Sequence, residues 1–210
     1  MSAFSAAGRV AKRALDVTMS GAGLLVSAPL WILIAAAIKT GSAGPVFFAQ
    51  PRVGERGRIF SVLKFRSMIA DAEREAGPVQ AVEHDPRVTR VGRILRGTAM
   101  DELPQLWNIF RGDMSFVGPR ALRPDELETR GTGDVVRLDR VPGFAERSSV
   151  RPGLTGLAQI YAPRDVLRRN KFRYDRVYIR RQSFALDVWL IVLSFWITAR
   201  GTWEARGRKF

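Results

Sequence analysis

The run Thr98-Ala99-Met100-Asp101-Glu102-Leu103-Pro104-Gln105-Leu106-Trp107-Asn108 sets two adjacent carboxylates just ahead of a proline and an apolar-periodic stretch. Pro104 marks a helix N-terminus, and Asp101 then has two readings. As a cap, its carboxylate accepts a backbone N–H. As a functional group, Asp101 with Glu102, set between Arg96 and Arg111, could hold a metal ion or attack phosphorus. Spacing alone leaves both open. Cysteine is absent and His84 is the one histidine. Disulfides, thiolate chemistry and structural zinc are therefore excluded, whereas a hard cation such as Mg²⁺, held by carboxylates, is not. His84-Asp85-Pro86 reads as a break, with His84 a loop residue.

Cations surround this pair in the sequence. Pro45–Gln50 and Arg58–Arg66 read as two strands of a hairpin joined through Val53-Gly54-Glu55-Arg56-Gly57. Alternation along the second strand puts Lys64 and Arg66 on one face, which suits a diphosphate or equally a solvated strand end. Arg87–Arg96 predicts a short helix with Arg93 and Arg96 one turn apart. Gly112–Arg120 reads as a turn, an extended run and a second turn. Arg151-Pro152-Gly153-Leu154-Thr155-Gly156 is a glycine-punctuated loop of the kind that lets backbone amides approach an anion.

The elements that must position these residues begin with an apolar segment. Val17–Ile38 holds 22 residues without a charge, about 33 Å of helix against roughly 30 Å of hydrocarbon. It is too long for a signal-peptide core and is expected to stay in the membrane. Pro29 lies near its middle, Gly21, Gly23 and Ser27 precede it, and both flanks are basic: Arg9, Lys12 and Arg13 before, Lys39, Arg52, Arg56 and Arg58 after. A helix broken at Pro29, entering and leaving by one face, satisfies these features, with Ser27 bonding back to the preceding turn. A kinked transmembrane helix is the competing reading. Residues 67–82 read as a helix or loop, and 125–149 as a polar surface segment. A second apolar run, Val188–Ala199, is about 18 Å long as a helix, too short to span. Trp189, Trp196 and Trp203 recur along it every seventh position, and Arg180, Arg181, Arg200, Arg206, Arg208 and Lys209 bracket it. That is the build of a helix lying in the membrane interface, although a buried core helix has the same length. The balance of 34 basic to 20 acidic residues, net +14, asks for anionic partners. Because the basic residues interleave with apolar runs, anionic lipid is favoured and nucleic acid is not expected.

Read in order, Lys12-Arg13-Ala14-Leu15-Asp16, the segment with Pro29, Gly44-Pro45-Val46-Phe47-Phe48, Gln50-Pro51-Arg52-Val53-Gly54 and Lys64-Phe65-Arg66-Ser67-Met68 form the first half of a longer pattern. Asp101-Glu102-Leu103-Pro104-Gln105-Leu106, Gly112-Asp113-Met114-Ser115, Val117-Gly118-Pro119-Arg120 and Arg151-Pro152-Gly153-Leu154-Thr155-Gly156 complete it. From about Lys12 to Arg200 the chain resembles the bacterial sugar transferases, the monotopic phosphoglycosyl transferases. The resemblance implies an α+β, mainly helical fold in one domain, 1–210. Its parts would be a re-entrant membrane helix-break-helix at 12–39, with Ser27 and Pro29 at the break, and a cytoplasmic catalytic and interfacial part at 45–200 with amphipathic interfacial helices and a small β-hairpin.

The same resemblance implies the activity. Asp101 matches the nucleophile that attacks the β-phosphorus of a UDP-sugar, releases UMP and passes the sugar phosphate to polyprenyl phosphate. Glu102 matches the second carboxylate, as metal ligand, orienting group or proton carrier. Both would contact Mg²⁺. Arg96 falls where the family binds phosphate, Lys64 and Arg66 line the phosphate path, Gly118, Pro119 and Arg120 form a nucleotide-contacting loop, and Arg151, Thr155 and Gly156 belong to a further loop of the site. The implied setting is the cytoplasmic face of a bacterial inner membrane, at the first membrane step of a glycan pathway. The partners would be a UDP-sugar, polyprenyl phosphate and anionic lipid, with a homodimer left open. Two departures stand out: Ala28 where many members carry serine before the membrane proline, and Ala121 where proline follows the arginine of the nucleotide loop. A non-catalytic, lipid-binding adaptor and a nucleic-acid binder are the rival classes.

Overall fold

The computed structural model describes residues 5–70, 72, 85–124, 126–129, 135–163 and 166–200. His84, Arg164, Trp203, Arg206, Arg208, Lys209 and most of the 67–82 stretch lie outside them. The chain opens with α1 (Ala6–Gly41), capped by Ser5, whose hydroxyl accepts the Gly8 N–H. Then come β1 (Phe47–Val53), β2 (Ile59–Phe65), α2 (Arg90–Gly97), α3 (Gln105–Arg111), β3 (Ser115–Val117), β4 (Leu127–Thr129) and β5 (Val135–Arg137). α4 (Phe144–Arg147), β6 (Gly153–Thr155), α5 (Leu157–Tyr161), α6 (Arg168–Arg181) and α7 (Phe184–Ala199) complete the order. Among the described residues the fold is mainly helical α+β with three two-stranded sheets: β1 antiparallel to β2, β3 parallel to β6, β4 antiparallel to β5.

α1 is longer than the uncharged segment. Its 36 residues make about 54 Å of helix at 1.5 Å per residue, and the basic flank Arg9, Lys12 and Arg13 is helical too. It is long and apolar enough to cross a membrane. The expected break at Pro29 is not an interruption: the helix runs through it. Proline deprives a helix of a single hydrogen bond and bends it at some cost, which a long apolar helix absorbs without unwinding. Ser27 does not serve the preceding turn either; its Oγ accepts the Trp31 indole N–H at 3.0 Å. On the Ser27 side, Leu15, Met19 and Leu24 join the main core. Beyond Pro29, Leu30, Trp31, Ile34 and Ile38 join a second core with Phe65 and Leu95. Between these contacts Leu25, Val26, Ile32 and Leu33 are exposed.

The Lys12–Asp16 stretch fastens α1 to the body. Lys12 Nζ bonds the Asp187 carboxylate at 2.7 Å and the Val117 carbonyl at 2.9 Å, with the Tyr178 hydroxyl at 3.2 Å. Arg13 donates to the Ile109 and Phe110 carbonyls, closing the end of α3. Asp16 accepts from the Ser115 hydroxyl and the Phe116 N–H.

The predicted hairpin is present, paired from Phe47↔Phe65 to Val53↔Ile59, with Glu55–Gly57 as a 3₁₀ turn. The outer edge of β2 is closed by a side chain: Asn108 accepts the Leu63 N–H and donates to the Ser61 carbonyl. One amide thus stands in for a third strand and locks α3 against the hairpin. α7 extends four residues before the predicted Val188 and is capped by Ser183. One face, with Asp187, Leu190, Ile191 and Ile197, is buried, while Trp189, Val192, Phe195 and Trp196 on the other are exposed. The stretch read as polar surface at 125–149 includes core residues: Val141 joins a cluster with Leu122 and Phe172, and Arg147 is buried.

Candidate active site

Asp101 and Glu102 lie in a 3₁₀ turn, Met100–Glu102, between α2 and α3. Ala99 starts that turn in the left-handed region, φ +55°, a conformation alanine adopts at a cost of about 1 kcal/mol or more. The N-cap position of α3 is Pro104, three residues after Asp101. The Asp101 side chain is nearly buried, with Lys64 Nζ 3.9 Å from Oδ2. The same Nζ lies 2.5 Å from Glu102 Oε1, and Arg120 Nη2 lies 3.8 Å from that oxygen. Burial pushes the Glu102 carboxyl up, but Lys64 and Arg120, with a hydrogen bond from Gln105, more than offset it and hold it down to about 2. A carboxylate held this low is charged at neutral pH: a good ligand for a cation and a poor proton acceptor.

The cleft beside Glu102 is lined by Arg52, Lys64, Glu102, Gln105, Arg120, Gly153 and Leu154, and Asp101 sits next to it without lining it. Arg52 was not singled out as a site residue by the sequence. It is half-buried, donates to the Ala121 carbonyl and to Gln50, and burial together with Arg120 and Arg123 lowers its guanidinium to about 10. It therefore remains a cation, crowded against others, as in a site built for anions. Its signal in the sequence was alternation: Gln50 and Arg52 share one face of β1.

The remaining predicted residues divide. Arg96 stands in the last turn of α2, five positions before Asp101. Arg66 is buried, and its guanidinium bonds the Ser42 hydroxyl and the Ser42 and Ala43 carbonyls, tying the end of α1 to β2. Gly118, Thr155 and Gly156 build the loops more than the binding surface. The Gly118 N–H goes to the Thr155 carbonyl and the Gly153 N–H to the Pro119 carbonyl, both 2.9 Å. A Cβ on Gly118 would lie 2.4 Å from the Arg151 carbonyl oxygen, and one on Gly156 2.3 Å from that of Gly118. These glycines allow two backbones to touch, and those amides are spent within the protein. The Thr155 hydroxyl bonds Ser194 of α7. Pro119 holds Gly153, while Arg120 carries the loop's charge to Glu102. Its carbonyl is gripped by Arg147, itself paired with Asp175 at 2.9 Å and stacked on Phe172. Arg151 pairs with Glu55 at 3.5 Å and lines a different basin.

No group of three or more acidic or histidine side chains that could hold a metal occurs among the described residues. Two adjacent carboxylates still fit Mg²⁺, which is commonly bound by one or two carboxylates and completed by water and substrate phosphates.

The family described as bacterial sugar transferase matches residues 7–201. The chain belongs to this family. It is 45% identical over 190 residues to the undecaprenyl-phosphate glucose phosphotransferase of Komagataeibacter xylinus, covering 87% of this chain and 35% of that protein. Against the exopolysaccharide production protein ExoY of Rhizobium meliloti it is 39% identical over 198 residues, covering 88% and 83%. A third relative, the UDP-N-acetylgalactosamine-undecaprenyl-phosphate N-acetylgalactosaminephosphotransferase of Aeromonas hydrophila, is 40% identical, covering 86% and 41%. The chain thus corresponds to most of ExoY but to about a third of the Komagataeibacter protein. The structure brings Asp101, Glu102, Lys64 and Arg120 together, with Lys64 between the two carboxylates.

Proposed function

We propose that this chain transfers a sugar 1-phosphate from a UDP-sugar to undecaprenyl phosphate, releasing UMP. The observation that carries this reading is the nearly buried carboxylate pair Asp101–Glu102 held among Lys64, Arg120 and Arg52. An isolated acidic pair would repel a diphosphate. This one is embedded in more positive charge than it carries, so an anionic donor can approach a carboxylate nucleophile. The names of the relatives supply the substrate class, and the sugar itself stays open between glucose, galactose and amino sugars.

In the first step a carboxylate oxygen of Asp101 attacks the β-phosphorus. The bond from that phosphorus to the bridging oxygen breaks, and UMP leaves with the oxygen and its electron pair. The sugar phosphate is then held as an acyl phosphate on Asp101. In the second step an oxygen of the polyprenyl phosphate attacks the same phosphorus, and the Asp101 carboxylate departs. Lys64 and Arg120 hold Glu102 ionised and face the phosphate charge as it shifts. Asp101 and Glu102 would hold Mg²⁺, which when bound would neutralise phosphoryl oxygens.

The reaction joins a water-soluble donor to a lipid acceptor, and the position of α1 supports a site at the bilayer surface. α1 packs against the same body on both sides of Pro29. That supports a re-entrant path with both ends on the cytoplasmic face, in keeping with the basic flanks. The test is UMP release by detergent-purified protein given Mg²⁺, undecaprenyl phosphate and a panel of UDP-sugars. Asp101→Asn is expected to abolish UMP release, including the first half-reaction without acceptor. Near-normal release from that variant would defeat the nucleophile assignment.

A further inference from the structure

At the other end of the hairpin from the carboxylates lies a second concentration of positive charge. Arg13, Arg58, Arg111 and Arg151, with Gly112 and Asp113, line an open basin of about 630 Å³. Arg58 and Lys64 have the same parity on one extended strand, six residues apart, which is about 20 Å. Phe60 and Val62 between them are buried in the core. The basin is therefore distinct from the Lys64–Glu102 cleft.

Its charge is not balanced. Arg111 pairs with Asp113 at 2.5 Å and Arg151 with Glu55 at 3.5 Å. Arg13 spends donors on two carbonyls, and Arg58 is exposed with no carboxylate partner among the described residues. Of the four guanidiniums, Arg58 thus has no carboxylate beside it among the described residues, while Arg13 has only Asp16 of its own helix nearby.

The surroundings identify the ligand. Arg13 projects from α1, the helix long and apolar enough for a membrane. Phe110, whose carbonyl Arg13 holds, lies against Gly21 of α1 and stacks on Trp107 with ring centroids 6.0 Å apart. Both rings are exposed, as is Ile59 next to Arg58. A basic basin rimmed by exposed aromatics and an apolar helix is the setting in which anionic headgroups meet protein. We infer that this basin is a binding site for the phosphate of an anionic phospholipid, separate from the sites for donor and acceptor.

The inference goes beyond the proposed activity and does not depend on it, because its readout is binding. Full-length protein in neutral detergent is titrated with phosphatidylglycerol, phosphatidylcholine or inorganic phosphate, and intrinsic tryptophan fluorescence reports Kd. Phosphatidylglycerol is expected to bind well ahead of the other two, and Arg58→Gln/Arg111→Gln to weaken it about thirtyfold, as expected for two charges near a lipid surface. Arg58→Lys/Arg111→Lys, which keeps the charge, should retain most of the affinity. UMP release without added phospholipid should be unchanged in both double variants, which reports an intact fold. Equal phosphatidylglycerol binding by wild type and the glutamine variant would overturn the assignment. So would inorganic phosphate matching the lipid, or competition for the basin by a UDP-sugar.

Discussion

At the scale of single residues, Lys64 has the largest task. Its ammonium touches Glu102 and approaches Asp101, so it sets how much negative charge the pair presents to a diphosphate. Lys64→Met removes that cation, leaving Arg120 at 3.8 Å from Glu102. UMP release is expected to fall by roughly 10²-fold, the scale seen when one preorganised electrostatic group is removed from a reaction centre. The side chain is about a fifth exposed, so the thermal transition should move little. A turnover near wild type would place the reacting phosphate elsewhere. The Asp101–Glu102 pair is legible in the sequence through its place in the family pattern, since spacing alone leaves a cap and a functional carboxylate both open. The sequence does not reveal the 3₁₀ turn at Met100–Glu102 that carries both carboxylates, nor that the N-cap position of α3 falls on Pro104.

Elements place these residues through backbone contacts that a sequence discloses only in part. The hairpin was legible because apolar alternation and the Gly54–Gly57 turn both obey local rules. The loop glycines were legible as glycines, but their use was not, since it depends on the meeting of β3 and β6 across more than thirty residues of chain. The contrast can be measured. Gly97 has open space around a built Cβ, so Gly97→Ala at the end of α2 should be neutral or stabilise by up to about 1 kcal/mol. Gly118→Ala and Gly153→Ala drive a methyl to within 2.4 and 2.0 Å of backbone atoms and should prevent recovery of folded, monodisperse protein. Arg147 is a further hidden element-scale device. It is buried on α4 against Asp175 of α6, where burial raises the Asp175 carboxyl despite the guanidinium beside it. It grips the Arg120 carbonyl. Arg147→Met strands Asp175 and is expected to cost about 3–5 kcal/mol of stability, read as a lowered thermal transition in detergent. The sequence reads this stretch as surface because it is polar and glycine-containing, and the partner that lets Arg147 be buried lies in α6.

For the whole molecule, the question is how a long apolar helix and the charged body packed against it would sit relative to a bilayer. Lys12, Arg13 and Asp16 at one end of α1, and Ser42 and Ala43 just past the other, are bonded to the same body. A helix crossing the bilayer would carry one of these anchor points to the opposite face and draw Lys64, Arg66 and Arg120 into hydrocarbon, where each charge costs several kcal/mol. Entry and exit by one face avoids that cost and leaves Leu25, Val26, Ile32 and Leu33 to meet lipid. The chain contains no cysteine, so single cysteines report topology without background. Ala7→Cys and Thr40→Cys, both at exposed positions flanking the apolar stretch, are expected to react with a membrane-impermeant maleimide in inside-out vesicles and to be protected in intact spheroplasts. Labelling of the two positions from opposite sides would establish a crossing helix and refute the re-entrant path. Protection of Ala7→Cys and Thr40→Cys together in inside-out vesicles, with labelling in spheroplasts, would place the whole site on the wrong face for a cytoplasmic sugar nucleotide.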